Sequence, residues 1–143
     1  MALTREPDLI ELVSALIEHD RQAVLAYDEA IDRCEDPTAS TRLWELRAEH
    51  ERHVRELSEC VVELGGEPPR VDARGPCAPG LGDATGTPAI LRAMRACEQD
   101  THDAYRQALS TARRVGTPRL CEVLERCFED ERRHAAWLAT QVA

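Results

Sequence analysis

Apolar side chains recur along the chain at intervals of three and four, the spacing that lines one face of an α-helix. Four such stripes stand out. The first runs Leu9, Val13, Leu16, Val24, Tyr27, Ile31, and the second Leu43, Leu46, Leu57, Val61, Leu64. The third runs Leu91, Met94, Thr101, Tyr105, Ala108, Ala112, and the fourth Leu120, Leu124, Cys127, Leu138. Between them, "EDPTAS" (35–40) ends the first segment and Gly65-Gly66 the second. "GTPAI" (86–90) and "GTPRL" (116–120) each put a Thr at an N-cap and a Pro at the first helical position. Gly116 also stands where a C-cap glycine would close the third segment. The pattern predicts four helices, roughly 7–36, 40–64, 88–115 and 118–141. At 1.5 Å per residue each is about 35–45 Å long.

The first and second helices are joined tightly, as are the third and fourth, so each pair is expected to form an antiparallel hairpin. Residues 66–86, "GEPPRVDARGPCAPGLGDATG", form a Pro/Gly-rich connection that could reach ~70 Å when extended. Its simplest use is a crossover along the length of a bundle; the alternative is a linker between two dimerising hairpins. The expected architecture is all-α: one four-helix bundle domain over 1–143, two antiparallel hairpins joined by the long crossover.

Each stripe is interrupted near mid-length by polar residues. The interruptions are Asp20 in the first, His50 and His53 in the second, Glu98 in the third, and Glu131 and His134 in the fourth. A buried carboxylate without a partner costs several kcal/mol. Three of them converging at one level need positive charge, yet no Arg occupies these stripe positions. A metal ion supplies that charge most simply. The two halves of the chain also echo each other. "DRQAVLAYDEAI" (20–31) parallels "EQDTHDAYRQAL" (98–109), and "HERHVREL" (50–57) parallels "ERRHAAWL" (131–138). This pairs Asp20 with Glu98, His50 with Glu131 and His53 with His134, as a pseudo-twofold around one axis would.

Charge narrows the function classes. The chain has 143 residues and a formal charge of −9, with 27 acidic residues against 18 basic ones, all arginine. That balance argues against a nucleic-acid binder, which needs a basic face. It suits attraction of cations. No run approaches the ~18 apolar residues of a membrane span. "MALTREPDLIELV" carries no long apolar run after a basic segment, so a cytoplasmic location is expected. The six cysteines (34, 60, 77, 97, 121, 127) are then expected mostly as thiols, and no CxxC pair supports a zinc-ribbon or rubredoxin-type site.

On these residues the chain resembles the ferritin-like superfamily of di-iron carboxylate bundles, which includes bacterioferritins and rubrerythrins. It is also similar to small bacterial ferritin-like bundles of unestablished function. The family pattern is one Glu from each of two helices and a Glu-x-x-His from each of the other two. Glu98, Glu131-x-x-His134, Tyr27 and Tyr105 match it, the tyrosines each standing seven residues after Asp20 or Glu98. Asp20 replaces a Glu, and His50 stands where a Glu bridging the metals is usual. The resemblance implies a dinuclear iron site, with iron oxidation or reduction of oxygen or peroxide as its chemistry. Its ligands would be Asp20, His50, His53, Glu98, Glu131 and His134. With two divalent ions, three carboxylates leave about one positive charge uncancelled. Three histidines among six ligands turn the preference toward iron, zinc, copper or nickel; manganese is a further candidate. A homodimer or small homo-oligomer is expected.

Other residues lie near the same level. His102, one turn after Glu98, and His19, beside Asp20, flank the stripes and could orient a ligand or simply be solvated. Tyr27 and Tyr105 could bond the carboxylates or satisfy their hydroxyls elsewhere in the core. Cys97 and Cys127 fall near the site, and Cys60 and Cys121 fall at one height beyond it, where they could approach as a thiol pair or copper-binding reserve; the simpler expectation for each is a small apolar core residue. Two further readings stand beside the redox one: a zinc-, copper- or iron-binding module without turnover, and a metal-free bundle in which the buried histidines and carboxylates pair with one another.

Overall fold

The computed structural model describes residues 8–70 and 81–142. They form four helices: α1 (Leu9–Arg33), α2 (Pro37–Glu63), α3 (Thr87–Val115) and α4 (Pro118–Gln141). No strand occurs among the described residues, and no helix there is long and apolar enough to cross a membrane.

Local chemistry sets the boundaries. The Asp8 side chain accepts hydrogen bonds from the Ile10 and Glu11 amides and starts α1. Asp36 caps α2 in the same way through Thr38, so that helix begins at Pro37 and not at the expected residue 40. At its far end Gly65, with φ of 90°, turns the chain left-handed. The Gly66 amide then bonds Val61 O and the Gly65 amide bonds Val62 O, a Schellman closure.

α4 starts as expected, with the Leu120 amide donating to Thr117 Oγ1 at 3.1 Å. α3 does not: Thr87 lies inside the helix, and Gly86 at φ 82° is the capping position, with no side-chain cap. The turn into α3 needs a positive φ at Gly86, which displaces Thr87 into the first turn. Gly116 closes α3, its amide bonding Ala112 O at 2.7 Å. A Cβ there would lie 2.7 Å from the same oxygen, so only glycine lets the chain turn this tightly.

α1 packs against α2 and α3, and α4 packs against α3 and, over a smaller contact, α2. The described ends of the crossover lie along α1. Gly66 abuts Ile10, Arg21 donates to Pro69 O at 2.7 Å, and Arg33 donates to Gly82 O at 2.8 Å. The connection therefore advances from the start of α1 toward its end, which sets α3 antiparallel to α1. Residues 71–80 of the crossover, Cys77 included, lie outside the described residues.

All the stripe positions in α3 and α4 are buried, as are those of α2 up to Val61, with Leu64 half-buried at the C-cap. α1 differs. Leu9, Val24 and Ile31 are only half-buried, while Ile17, Ala23 and Ala30 are buried. A straight helix drifts ~20° per seven residues against a fixed 3-4 repeat, so the buried face of α1 rotates along its length.

The core is divided in two. One cluster joins Val13, Leu16, Ile17, Leu57, Val61, Tyr105 and Leu124. The other joins Ala26, Tyr27, Leu43, Leu46, Met94 and Leu138. Each fully buried Leu contributes about 1.5–3 kcal/mol. The polar residues that interrupt the stripes lie between these two apolar blocks.

Candidate metal centre

The polar layer takes residues from all four helices: Asp20 from α1, His50 and His53 from α2, Glu98 from α3, Glu131 and His134 from α4. None is more than 1 % exposed. In each helix the i, i+3 and i+4 spacing that aims leucines inward aims these groups inward too.

Their atoms gather into two nests. In the first, Asp20 Oδ1 lies 2.7 Å from His50 Nδ1 and 3.3 Å from His53 Nδ1. Glu131 Oε1 lies 3.5 and 3.4 Å from the same two nitrogens. In the second, Glu98 Oε1 lies 2.7 Å from His50 Nε2 and 3.5 Å from His134 Nδ1. Glu131 Oε2 is 3.7 Å from His134 Nδ1. In each nest, one atom per residue can be chosen so that all four lie within 4.8 Å of one another. His50 and Glu131 belong to both nests.

Two tyrosines cap this layer, one from each apolar block, and each reaches across to the other hairpin. Tyr105 of α3 donates to Asp20 Oδ2 at 2.5 Å, and Tyr27 of α1 donates to Glu98 Oε1. Burial and the adjoining carboxylate raise both phenols well above their ordinary range, so both remain donors.

Two acidic residues not anticipated from the stripes complete the arrangement. His53 Nε2 is 2.9 Å from Asp130 Oδ2, and His134 Nε2 bonds Glu49. Each pair again joins α2 to α4, and in the internal repeat Glu49 aligns with Asp130. A carboxylate on the outer nitrogen fixes the ring and leaves Nδ1 directed into the nest. Asp130 is held in turn by Arg52, at 2.5 Å, and by Arg133. Burial works against ionisation of Asp130, but His53 and the two arginines hold its pKa below the usual carboxylate range. The bond from His134 likewise lowers that of Glu49.

Charge within the layer is tightly contested. Burial disfavours a charged His50, yet Glu131, Glu98 and Asp20 raise its pKa well above the ordinary value. The same contest lifts His134 to about 10 and raises His53. Burial opposes ionisation of Asp20 and Glu98, but their histidine partners keep both low. Glu131 is different: burial and the facing charge of Glu98 push it up to about 7.

Besides His102 Nδ1, which lies outside the two nests, four buried atoms have no hydrogen-bond partner among the described residues: Glu98 Oε2, both carboxylate oxygens of Glu131, and His134 Nδ1. Leaving such groups bare costs of order 1–3 kcal/mol each. They are oxygen and imidazole donors at metal-ligand spacing, and the donor set fits divalent iron, zinc or copper.

The flanking residues divide. Cys127 is buried, and burial raises its thiol pKa while the nearby His53 works to lower it. Cys97, half-buried beside Glu98, is raised by burial and by that charge. His102 turns elsewhere, its ring centroid 5.0 Å from that of Phe128 and its Nδ1 3.5 Å from Asp103. His19 is half-buried beside Asp20. Cys60 and Cys121 are free thiols, and Cys121 donates to Ala112 O at 3.3 Å.

Comparison with known proteins agrees with the four-helix fold. A ferritin-like diiron-carboxylate protein from Bacillus anthracis str. Ames superposes with a TM-score of 0.81 at 20% identity, over 94% of this chain and 95% of that one. No curated protein matches the chain in sequence. The ferritin-like domain matches residues 37–143, from the start of α2 to the C-terminus, and the chain belongs to that family.

Proposed function

We propose that this protein binds two divalent metal ions, iron by family, between its two hairpins. Asp20, His50, His53 and Glu131 hold one, and His50, Glu98, Glu131 and His134 hold the other. The observation that carries this reading is the set of bare inward-facing atoms on Glu98, Glu131 and His134, which a hydrogen-bonded, metal-free core would have paired. With iron bound, such a centre supplies electrons for reduction of oxygen or peroxide, or oxidises ferrous iron. The chain's own part is to position and insulate. Glu49 and Asp130 orient His134 and His53, Tyr27 and Tyr105 keep Glu98 and Asp20 in place, and the two apolar blocks exclude water above and below.

A second reading, metal binding without turnover, is favoured by His50, whose ring occupies the middle of the layer and brings the donor set to three imidazoles. In either case the protein is proposed to act in the cytoplasm as a dimer or small oligomer. Elemental analysis combined with oxygen consumption on adding ferrous iron tests both. About two irons per chain with rapid oxygen uptake supports the redox reading. Bound zinc or copper without uptake supports the second. A protein that takes up no metal, and whose melting is indifferent to chelators, refutes both.

A further inference from the structure

We propose that His50 joins the two ions as a bridging imidazolate, binding one through Nδ1 and the other through Nε2. This rests on the two-ion reading above and specifies how the ions are linked. Its two ring nitrogens open onto different nests: Nδ1 lies 2.7 Å from Asp20 Oδ1, and Nε2 lies 2.7 Å from Glu98 Oε1. Neighbouring rings hold that orientation, with centroids at 5.4 Å for Tyr27, 5.7 Å for His53 and 5.1 Å for His134.

The spacing of the donors agrees. Four ligands placed ~2.0–2.1 Å from a tetrahedral ion lie ~3.3–3.4 Å from one another. In the first nest the separations are 3.3 Å for Asp20–His53, 3.4 Å for His53–Glu131 and 3.5 Å for His50–Glu131. In the second they are 3.5 Å for His134–Glu98 and 3.7 Å for His134–Glu131. The two direct bonds of His50 to a carboxylate are shorter, and those are the contacts that ions entering the nests would replace. If His50 bound through a single nitrogen, one nest would keep three donors and an N–H facing a cation.

Charge gives an independent reason. Asp20, Glu98, Glu131 and an imidazolate together carry four negative charges, the number that two divalent ions neutralise. A neutral His50 would leave one positive charge in a layer that is at most 1 % exposed, where an uncompensated charge is strongly disfavoured. Each nitrogen binds only after losing its proton, so loading both ions releases the ring protons to solvent. No other reactant is required.

The bridge sets the ions apart by the width of a ring, farther than the ~3.5–4 Å typical of paired metal sites. The test uses the full-length protein, stripped by chelator and reloaded with zinc(II) for X-ray absorption or with copper(II) for electron paramagnetic resonance. The expected results are two zinc ions per chain with no zinc–zinc scattering inside about 4 Å. The second equivalent of copper should convert the isolated-ion signal into that of an exchange-coupled pair. H50E should draw the ions inside that distance by substituting a carboxylate bridge, and H50Q should abolish the copper coupling. Two zinc ions at short separation in the unsubstituted protein, or two copper ions with undiminished isolated signals, overturn the bridge while leaving two-ion binding intact. Failure to bind zinc or copper at all overturns the bridge together with the function on which it rests.

Discussion

Glu131 is shared by both nests, and without metal its two oxygens make no hydrogen bond. Replacing it by Gln removes the charge and keeps the shape. Burial and Glu98 raise its pKa from the ordinary 4.5 to about 7. At about 1.4 kcal/mol per pH unit, ionising it in the folded chain costs about 3 kcal/mol. The folded value lies above the unfolded one, so the associated stability is fully present below about 4.5 and is lost as pH rises through about 7. At pH 8, metal-free E131Q should therefore be more stable than the unsubstituted protein by roughly 2–3 kcal/mol. That is a melting temperature higher by roughly 5–10 °C for a chain of this size. Near pH 4.5 the two should nearly coincide. With metal the order reverses, because ions that bind only the folded state stabilise the unsubstituted protein. Thermal and urea melts of chelator-treated protein across this pH range are the assay. If metal-free E131Q is no more stable at pH 8, or the difference is flat with pH, Glu131 does not carry a buried charge and the reasoning fails.

Three further outcomes follow from the same geometry. Glu49→Ala frees the outer nitrogen of His134 and should weaken metal binding about 10–100-fold in a chelator competition, with helix content by circular dichroism unchanged. Metal affinity should fall as pH drops from 8 toward 5. Protons compete for Glu131, held near 7, and for the histidines, of which His134 is held near 10; a pH-independent affinity in calorimetry would contradict this. Leu124→Ala empties a fully buried position in the block beneath the site and should cost about 2–5 kcal/mol in urea denaturation, whether or not metal is present.

The inward set, from Asp20 to His134, is legible in sequence because helical periodicity is strict: a polar residue on an apolar stripe has nowhere to point but inward. Glu49 and Asp130 escape that reasoning. Each stands one position before a stripe residue, at the edge of the buried face, where solvated acids are common. The internal repeat holds the missing clue, since both stand four residues before a histidine whose outer nitrogen needs an acceptor. The helix starts show a similar limit. Asp36-Pro37 and Gly86-Thr87-Pro88 each offer more than one capping register, and the choice depends on the turn geometry between helices. His102 lies one turn from Glu98 in sequence, yet the course of α3 turns it toward Phe128.

The crossed tyrosines have a consequence for how the chain assembles. Tyr27 and Asp20 share α1 but stand two turns apart, beyond each other's reach, and the same holds for Tyr105 and Glu98 on α3. Each hydroxyl finds its acceptor only on the opposite hairpin, as the outer nitrogens of His53 and His134 do. A single hairpin therefore carries half of every lock and none of the matching keys. Sliding α1 by one turn against α3 would strand both tyrosines and both acids together, in a setting where each bare group is costly. The polar layer thus works as a register gauge: the bundle can close at full depth only in the alignment that also builds the two nests.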